Sequence, residues 1–199
     1  MRTPTALLAA LLGAFSWSSA AHAGGVGLLA NTGFRQDLAY YYRDDGEQGV
    51  DRQVRPTNGF GFELLLGDRD KKVQGLVRAY TLIDAPLLAP EIAEEEGHEY
   101  SYPAYDELGN RYTGTATVGI QWGVYGDPSK FQVIVTSLMG GGIATPDNLE
   151  FLIVEPGAGV TYAFNDRLQL AGTFAVMGRY RKQLTVGGNA YVGLRYMFD

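Results

Sequence analysis

Three stretches of the chain share one pattern, in which an alternating or apolar run is followed by a short polar turn and then a second such run. The first is NGFGFELLLG, DRDKK, VQGLVRAYTLI; the second TATVGIQWGVYG, DPSK, FQVIVTSLMGG; the third FLIVEPGAGVTYAF, NDR, LQLAGTFAVMG. The connecting turns carry Asp, Asn, Pro and basic residues, the chemistry of tight reversals. Each flanking run is about ten residues long, what a tilted strand needs to cross a bilayer. With a first strand at 25–34 and the closing stretch at 189–199, the pattern predicts eight strands. Longer polar segments at 35–57, 84–112, 143–150 and 179–187 separate the hairpins, so short turns fall at one end and long loops at the other.

The two-residue period sorts these runs into faces. Gln74, Leu76, Arg78 and Tyr80 share one side, as do Thr115, Thr117, Gly119 and Gln121. Glu155, Gly157, Gly159 and Thr161 form a third such set, Gln169, Ala171 and Thr173 a fourth, and Gly61, Glu63 and Leu65 a fifth. The opposite faces carry Phe60, Phe62, Val118, Ile120, Trp122, Tyr162, Phe164, Leu170 and Phe174. A water-soluble barrel turns its apolar face inward. Here the more polar faces are rich in glycine and threonine, which suit the narrow interior of an eight-stranded barrel. The apolar faces, with aromatics toward their ends, suit lipid. The fold expected is all-β, an eight-stranded antiparallel up-and-down transmembrane β-barrel.

The last strand, AYVGLRYMF, alternates apolar residues on one face with Arg195 on the other and carries Tyr196 and Phe198 near its end, with Asp199 following. At this point the chain resembles the small outer-membrane β-barrels of Gram-negative bacteria, of the OmpA/OmpX transmembrane-domain kind. The resemblance is one of architecture over residues 24–199. It implies that Tyr196 and Phe198 form the signal read by the outer-membrane assembly machinery, and that the barrel sits among outer-membrane lipid and lipopolysaccharide.

The amino terminus agrees with export. Residues 1–23 have Arg2, an apolar run from Ala6 to Phe15 and Ala21-His22-Ala23 ahead of Gly24, the form of a secretory signal peptide. The barrel domain is then 24–199, with localisation expected in the cell outer membrane and no appended periplasmic domain. Asp and Glu outnumber Lys and Arg by 22 to 16, which argues against a nucleic-acid partner. There is no cysteine, so a disulfide scaffold and thiolate chemistry are excluded.

Candidate chemistry is sparse. Only His22 and His98 are histidines, and His98 sits in the acidic run EEEGHEYSY, so it alone could serve as a general base. No enzyme constellation, cofactor site or dedicated metal loop emerges. The carboxylates of 91–107 and those of DDGEQGVD (Asp44, Asp45, Glu47, Asp51) suit a solvated loop, with hard-cation or partner binding as the functional alternative. Glu63, Arg78, Gln121, Glu155, Gln169 and Arg195 are assigned to the interior, two acids balancing two bases, and buried charges must pair. They make either a structural plug or the lining of a narrow channel for ions or small solutes. Arg35, Arg111, Arg179, Arg181 and Lys182 are expected at the loop-side rim, where guanidinium forks match lipopolysaccharide phosphates. Tyr40, Tyr41 and Tyr42 suit an interfacial belt or a contact patch for a protein partner. The role expected is non-catalytic: envelope integrity, or surface interaction through the loops.

Overall fold

The computed structural model describes residues 23–42, 48–84, 111–145, 149–181 and 184–198. They form eight strands: β1 Ala23–Tyr42, β2 Gln48–Leu66, β3 Val73–Asp84, β4 Arg111–Gly126, β5 Phe131–Ala144, β6 Leu149–Ala163, β7 Leu168–Tyr180 and β8 Leu184–Met197. Each pairs antiparallel with its sequence neighbours, and β8 returns to β1 from Gly25↔Met197 to Arg35↔Gly187, closing the barrel. Within the span where all eight strands pair, closure leaves no free sheet edge, the condition for a sheet to cross lipid.

The three short turns are built by local polar chemistry. Gly67 and Gly126 take φ of 102° and 93°, which glycine adopts without steric penalty. The Asp127 carboxylate accepts from the Ser129 backbone N–H at 2.8 Å and from its hydroxyl at 2.7 Å. Asn165 Oδ1 accepts from the backbone N–H groups of Arg167 and Leu168, each at 2.8 Å. These side chains stand in for the backbone partners a reversal removes. At Pro156 the β6–β7 pairing skips from Val154↔Gly178 to Gly157↔Ala175, as a residue without an N–H requires.

The faces fall as the two-residue period demands. Val118, Ile120 and Trp122 point outward, with Trp122 51% exposed, whereas Glu63 and Arg195 are sealed inside. Phe60, Phe62, Leu152, Tyr162, Phe174 and Val192 continue the outward apolar surface around the wall. Tyr162 and Phe164 meet edge-to-face near the turn end of β6, with ring centroids 5.3 Å apart. Tyr196 and Phe198 do the same beside the end of β8 at 5.8 Å.

Two expectations are corrected. The first hairpin is longer than its alternation alone suggested: residues 35–42 and 48–57 belong to β1 and β2 rather than to a loop. Where side chains are described the two-residue pattern holds, Phe34, Val54 and Pro56 outward and Arg35, Arg55 and Thr57 inward, and the β1–β2 pairing runs on to Tyr42↔Gln48. At about twice the length a crossing strand needs, the β1–β2 ladder extends beyond the others at the loop end. The interior, second, is layered rather than polar throughout. Leu65, Leu76 and Leu138 form one buried apolar group; Leu29, Tyr80, Leu82, Ala175 and Tyr191 a second; Ala144, Phe151, Ile153 and Met177 a third. Close packing asks for volume at every level of a narrow lumen, and a leucine fills it without needing a partner.

Candidate functional site

The central polar layer is organised around Glu63. It lies opposite Arg78 in the β2–β3 register, and Arg78 Nη2 donates to Glu63 Oε2 at 3.2 Å. Arg195 reaches it from β8, over the intervening strand β1, donating its Nε–H to Glu63 Oε1 at 2.6 Å. The residue between them in register is Gly27, where a Cβ would stand 3.0 Å from Arg195 Cγ and 3.2 Å from Glu63 Cγ. A side chain there would wedge the pair apart. Arg195 Nη1 also donates to Gln169 Oε1 at 3.2 Å, its cross-strand neighbour on β7. Nearer the turns, Gln121 Nε2 donates to Gln74 Oε1 at 3.3 Å, and Gln74 Nε2 to the Asp68 carbonyl at 3.2 Å.

The Glu155 carboxylate is held differently. The hydroxyls of Tyr80 and Tyr191 both donate to its Oε1, Tyr191 at 2.6 Å. The two rings meet edge-on at 71°, and the Arg78 guanidinium carbon lies 4.1 Å from the Tyr191 ring centroid. Arg78 therefore joins the two carboxylate centres, ion-paired to Glu63 and stacked on a tyrosine that serves Glu155. Glu155 Oε2 and Arg78 Nε and Nη1 are buried without a hydrogen-bond partner among the described residues.

All six interior residues named from the sequence are buried, and their hydrogen bonds sort them into three groups rather than one. Glu63, Arg78, Gln169 and Arg195 are directly linked; Gln121 bonds Gln74 below them, and Glu155 bonds tyrosines beside them. Tyr80 and Tyr191 were missed as members of the site. Their signal was available in parity, since Tyr80 shares a face with Arg78 and Tyr191 with Arg195. Buried apolar groups lie next to the charges, with buried Asn and Thr side chains at the same levels.

The rim assignment is corrected for Arg35 and Arg179. Arg35 is 3% exposed and faces the lumen, as does its register partner Arg55 on β2, inside the 35–57 stretch expected to be a loop. Both positions have inward parity. Arg179 is half-buried on the inward side of β7, its guanidinium carbon 3.6 Å from the Phe151 ring centroid. Arg181 is exposed just beyond β7. The side chains of Arg111, Tyr40, Tyr41, Tyr42 and Asp51, and residues Asp44, Asp45, Glu47, His98 and Lys182, lie outside what the structure describes. Residues 1–22 do too.

No protein-family model matches the chain, and no curated protein matches it in sequence. Similar solved structures include Neisserial surface protein A (NspA), at 12% identity and a TM-score of 0.48, covering 89% of this chain and 99% of that one. Ail, the attachment invasion locus protein of Yersinia pestis, solved with the heparin analogue sucrose octasulfate, aligns at 9% identity and a TM-score of 0.43, covering 87% and 99%. OmpT, an outer membrane protein of Vibrio cholerae, aligns at 10% identity and a TM-score of 0.31, covering 87% and 52%. The closed eight-stranded barrel is read from this chain's own strand pairing.

Taken as chemistry, the interior polar groups fasten β2, β3, β6, β7 and β8 to one another from within. Glu63 has both oxygens committed to arginine, and the hydroxyls that meet Glu155 donate to it.

Proposed function

We propose that the protein is an integral outer-membrane barrel with a non-catalytic role in envelope integrity or surface interaction, carried by its loop-side end on a wall fastened from within. The observation that carries this reading is the inversion of a soluble fold: large apolar side chains cover the outside while Glu63, Arg78, Glu155 and Arg195 are at most 1% exposed. Contiguous apolar surface of that extent is rare on a soluble monomer, and only lipid offers it a favourable solvent.

In this reading residues 1–23 direct export and are removed, and Tyr196 and Phe198 present the assembly signal on the outer face of the last strand. Arg181, with Arg111 and Lys182, meets lipopolysaccharide phosphates at the rim. Any protein partner is recognised by the loop-side end, since loops on a rigid scaffold carry recognition. The interior packs as a plug, and a conducting path would have to break through the apolar groups that flank the Glu63 cluster.

The deciding experiment is fractionation of expressing cells combined with gel mobility before and after heating. An outer-membrane barrel remains with the membrane until detergent is added and migrates at two positions, folded and unfolded. Release into the periplasmic fraction without detergent would overturn the reading.

A further inference from the structure

The β2–β3 and β6–β7 turns stand on opposite sides of the closed barrel, with β4 and β5 between them on one flank and β8 and β1 on the other. Arg69, in the first turn, nonetheless meets Asp166, in the second. Its Nη1 donates to the Asp166 carbonyl at 2.6 Å, and Nη1 and Nη2 both donate to the Asp166 carboxylate at 3.3 Å. A contact between opposite points of a ring of strands has to cross the opening. We propose that Arg69 is a latch, a bar over the turn-end mouth whose release opens the adjoining end of the lumen to water and small solutes.

Both ends of the bar are held. On its own side, Gln74 Nε2 donates to the Asp68 carbonyl at 3.2 Å and Gln121 Nε2 to Gln74 Oε1 at 3.3 Å, which ties the residue before Arg69 to β3 and β4 from within. Gly24 lets the same turn settle onto the start of β1, since a Cβ there would lie 2.2 Å from the Gly67 carbonyl. On the far side, Asn165 Oδ1 accepts from the Arg167 and Leu168 backbone N–H groups, each at 2.8 Å. The Arg167 carbonyl accepts from the Met197 N–H at 2.7 Å. The Asp166 carbonyl is thereby positioned before Arg69 meets it, which lowers the ordering penalty of the contact.

Burial agrees with a covered mouth. Gln74, Gln132 and Gln169 each follow the first residue of their strand and face inward at the rim, where an open end would wet them. They are only 5–6% exposed. Within the β2–β3 turn Asp68, Asp70 and Lys71 are exposed, whereas the Arg69 side chain is 17% exposed, turned in over the lumen. Its partner Asp166 is 90% exposed. A pair with one side in water is screened by salt and individually weak, which suits a closure that opens without unfolding the wall. The next inward level holds the Leu65, Leu76 and Leu138 group, so release admits water to the glutamine layer and stops there.

The chain has no cysteine, so a single introduced thiol reports access without background. The test uses the full-length protein refolded in detergent and reacted with methyl methanethiosulfonate, a small neutral thiol reagent. Gln132→Cys is expected to react far more slowly than Lys130→Cys, which lies on the exposed turn. Adding Arg69→Gln is expected to speed labelling at Gln132→Cys about tenfold or more, the shift in an opening equilibrium when charge-assisted hydrogen bonds are lost. Asp166→Ala removes the carboxylate and keeps the carbonyl, so its effect is expected in the same direction and smaller. Thr57→Cys, buried toward the loop end, is expected to keep its rate in every background. Gln169→Cys serves as the reporter if Gln132→Cys does not refold. Equal rates at Gln132→Cys and Lys130→Cys, a Gln132→Cys rate that Arg69→Gln leaves unchanged, or a matching rise at Thr57→Cys, which would mean general loosening, each overturns the proposal.

Discussion

Arg195 donates its Nε–H to Glu63 across the backbone of Gly27, so the last strand is tied to the second over the top of the first. The contact spans 132 positions and locks the seam at which the barrel closes. Removing Glu63 leaves Arg78 and Arg195 as buried cations without their shared anion. Glu63→Gln is therefore expected to lose about 3–5 kcal/mol of unfolding free energy, the usual consequence of breaking a buried charge pair from one side. Urea unfolding in lipid vesicles measures it. Replacing Glu63, Arg78 and Arg195 together by Leu or Met is expected to recover most of that loss, because no charge is then stranded.

The same relationship makes Gly27 a sensitive position. A leucine there would occupy the space through which Glu63 and Arg195 meet. Gly27→Leu is expected to reproduce most of the Glu63→Gln destabilisation, and the two changes combined to cost much less than their sum. A double-mutant cycle checks it. Gly172 supplies the control, since a Cβ there meets nothing within 4 Å and Gly172→Ala is expected to be nearly silent.

How much of this was legible beforehand depends on the period of two. Parity alone put Arg78, Gln121, Glu155 and Arg195 inside and Val118, Ile120 and Trp122 outside, because a one-residue slip would invert every side chain of a strand. Parity does not say which inward residues touch. The Glu63–Arg195 contact depends on the stagger of β8 against β1 and on the missing side chain of Gly27, neither of which a single run of sequence displays. Arg35 and Arg55 were obscured because the polar stretch around them resembled a loop, although the alternation from Phe34 to Thr57 does not lapse at either residue. The lumen's leucines were visible on the inward faces, but their grouping into layers is a property of the closed barrel.

Acid should weaken one of the short turns. The Asp127 carboxylate is held below its ordinary pKa by the Ser129 hydroxyl first and by the Ser129 backbone N–H next. A lowered folded-state pKa adds stability that is fully present above the ordinary carboxylate range and lost as pH falls through the lowered value. The difference in unfolding midpoint between wild type and Asp127→Ala is therefore expected to be constant near neutral pH and to vanish in acid. A pH series on both proteins checks this; a gap that widens in acid would contradict the assignment.

Conductance should be absent. The Glu63 cluster is flanked by the Leu65, Leu76 and Leu138 group and by the group that includes Leu29, Tyr80 and Tyr191. An eight-stranded barrel is only just wide enough for its own side chains to fill, and a filled interior opposes ion passage. Purified protein in a planar bilayer is expected to give no unitary current, and Glu63→Ala to remain silent because it leaves both apolar groups in place. Resolved channel steps in the wild type, altered by Glu63→Ala or Arg78→Ala, would favour a gated pore instead.

The outward face offers the most direct test of which solvent it meets. Phe174 stands at the middle of β7 and Tyr180 at its loop end, and both point away from the lumen. In water the two would tolerate arginine almost equally, since exposed surface substitutions change stability little. In a bilayer the penalty depends on depth, about 2–4 kcal/mol for arginine at the midplane and about 0–1 kcal/mol near the interface. Phe174→Arg is accordingly expected to lower unfolding free energy in vesicles by the larger amount and Tyr180→Arg by the smaller. The comparison isolates lipid from packing, because neither side chain fills the interior. Equal and negligible effects would mean that the apolar wall faces water after all.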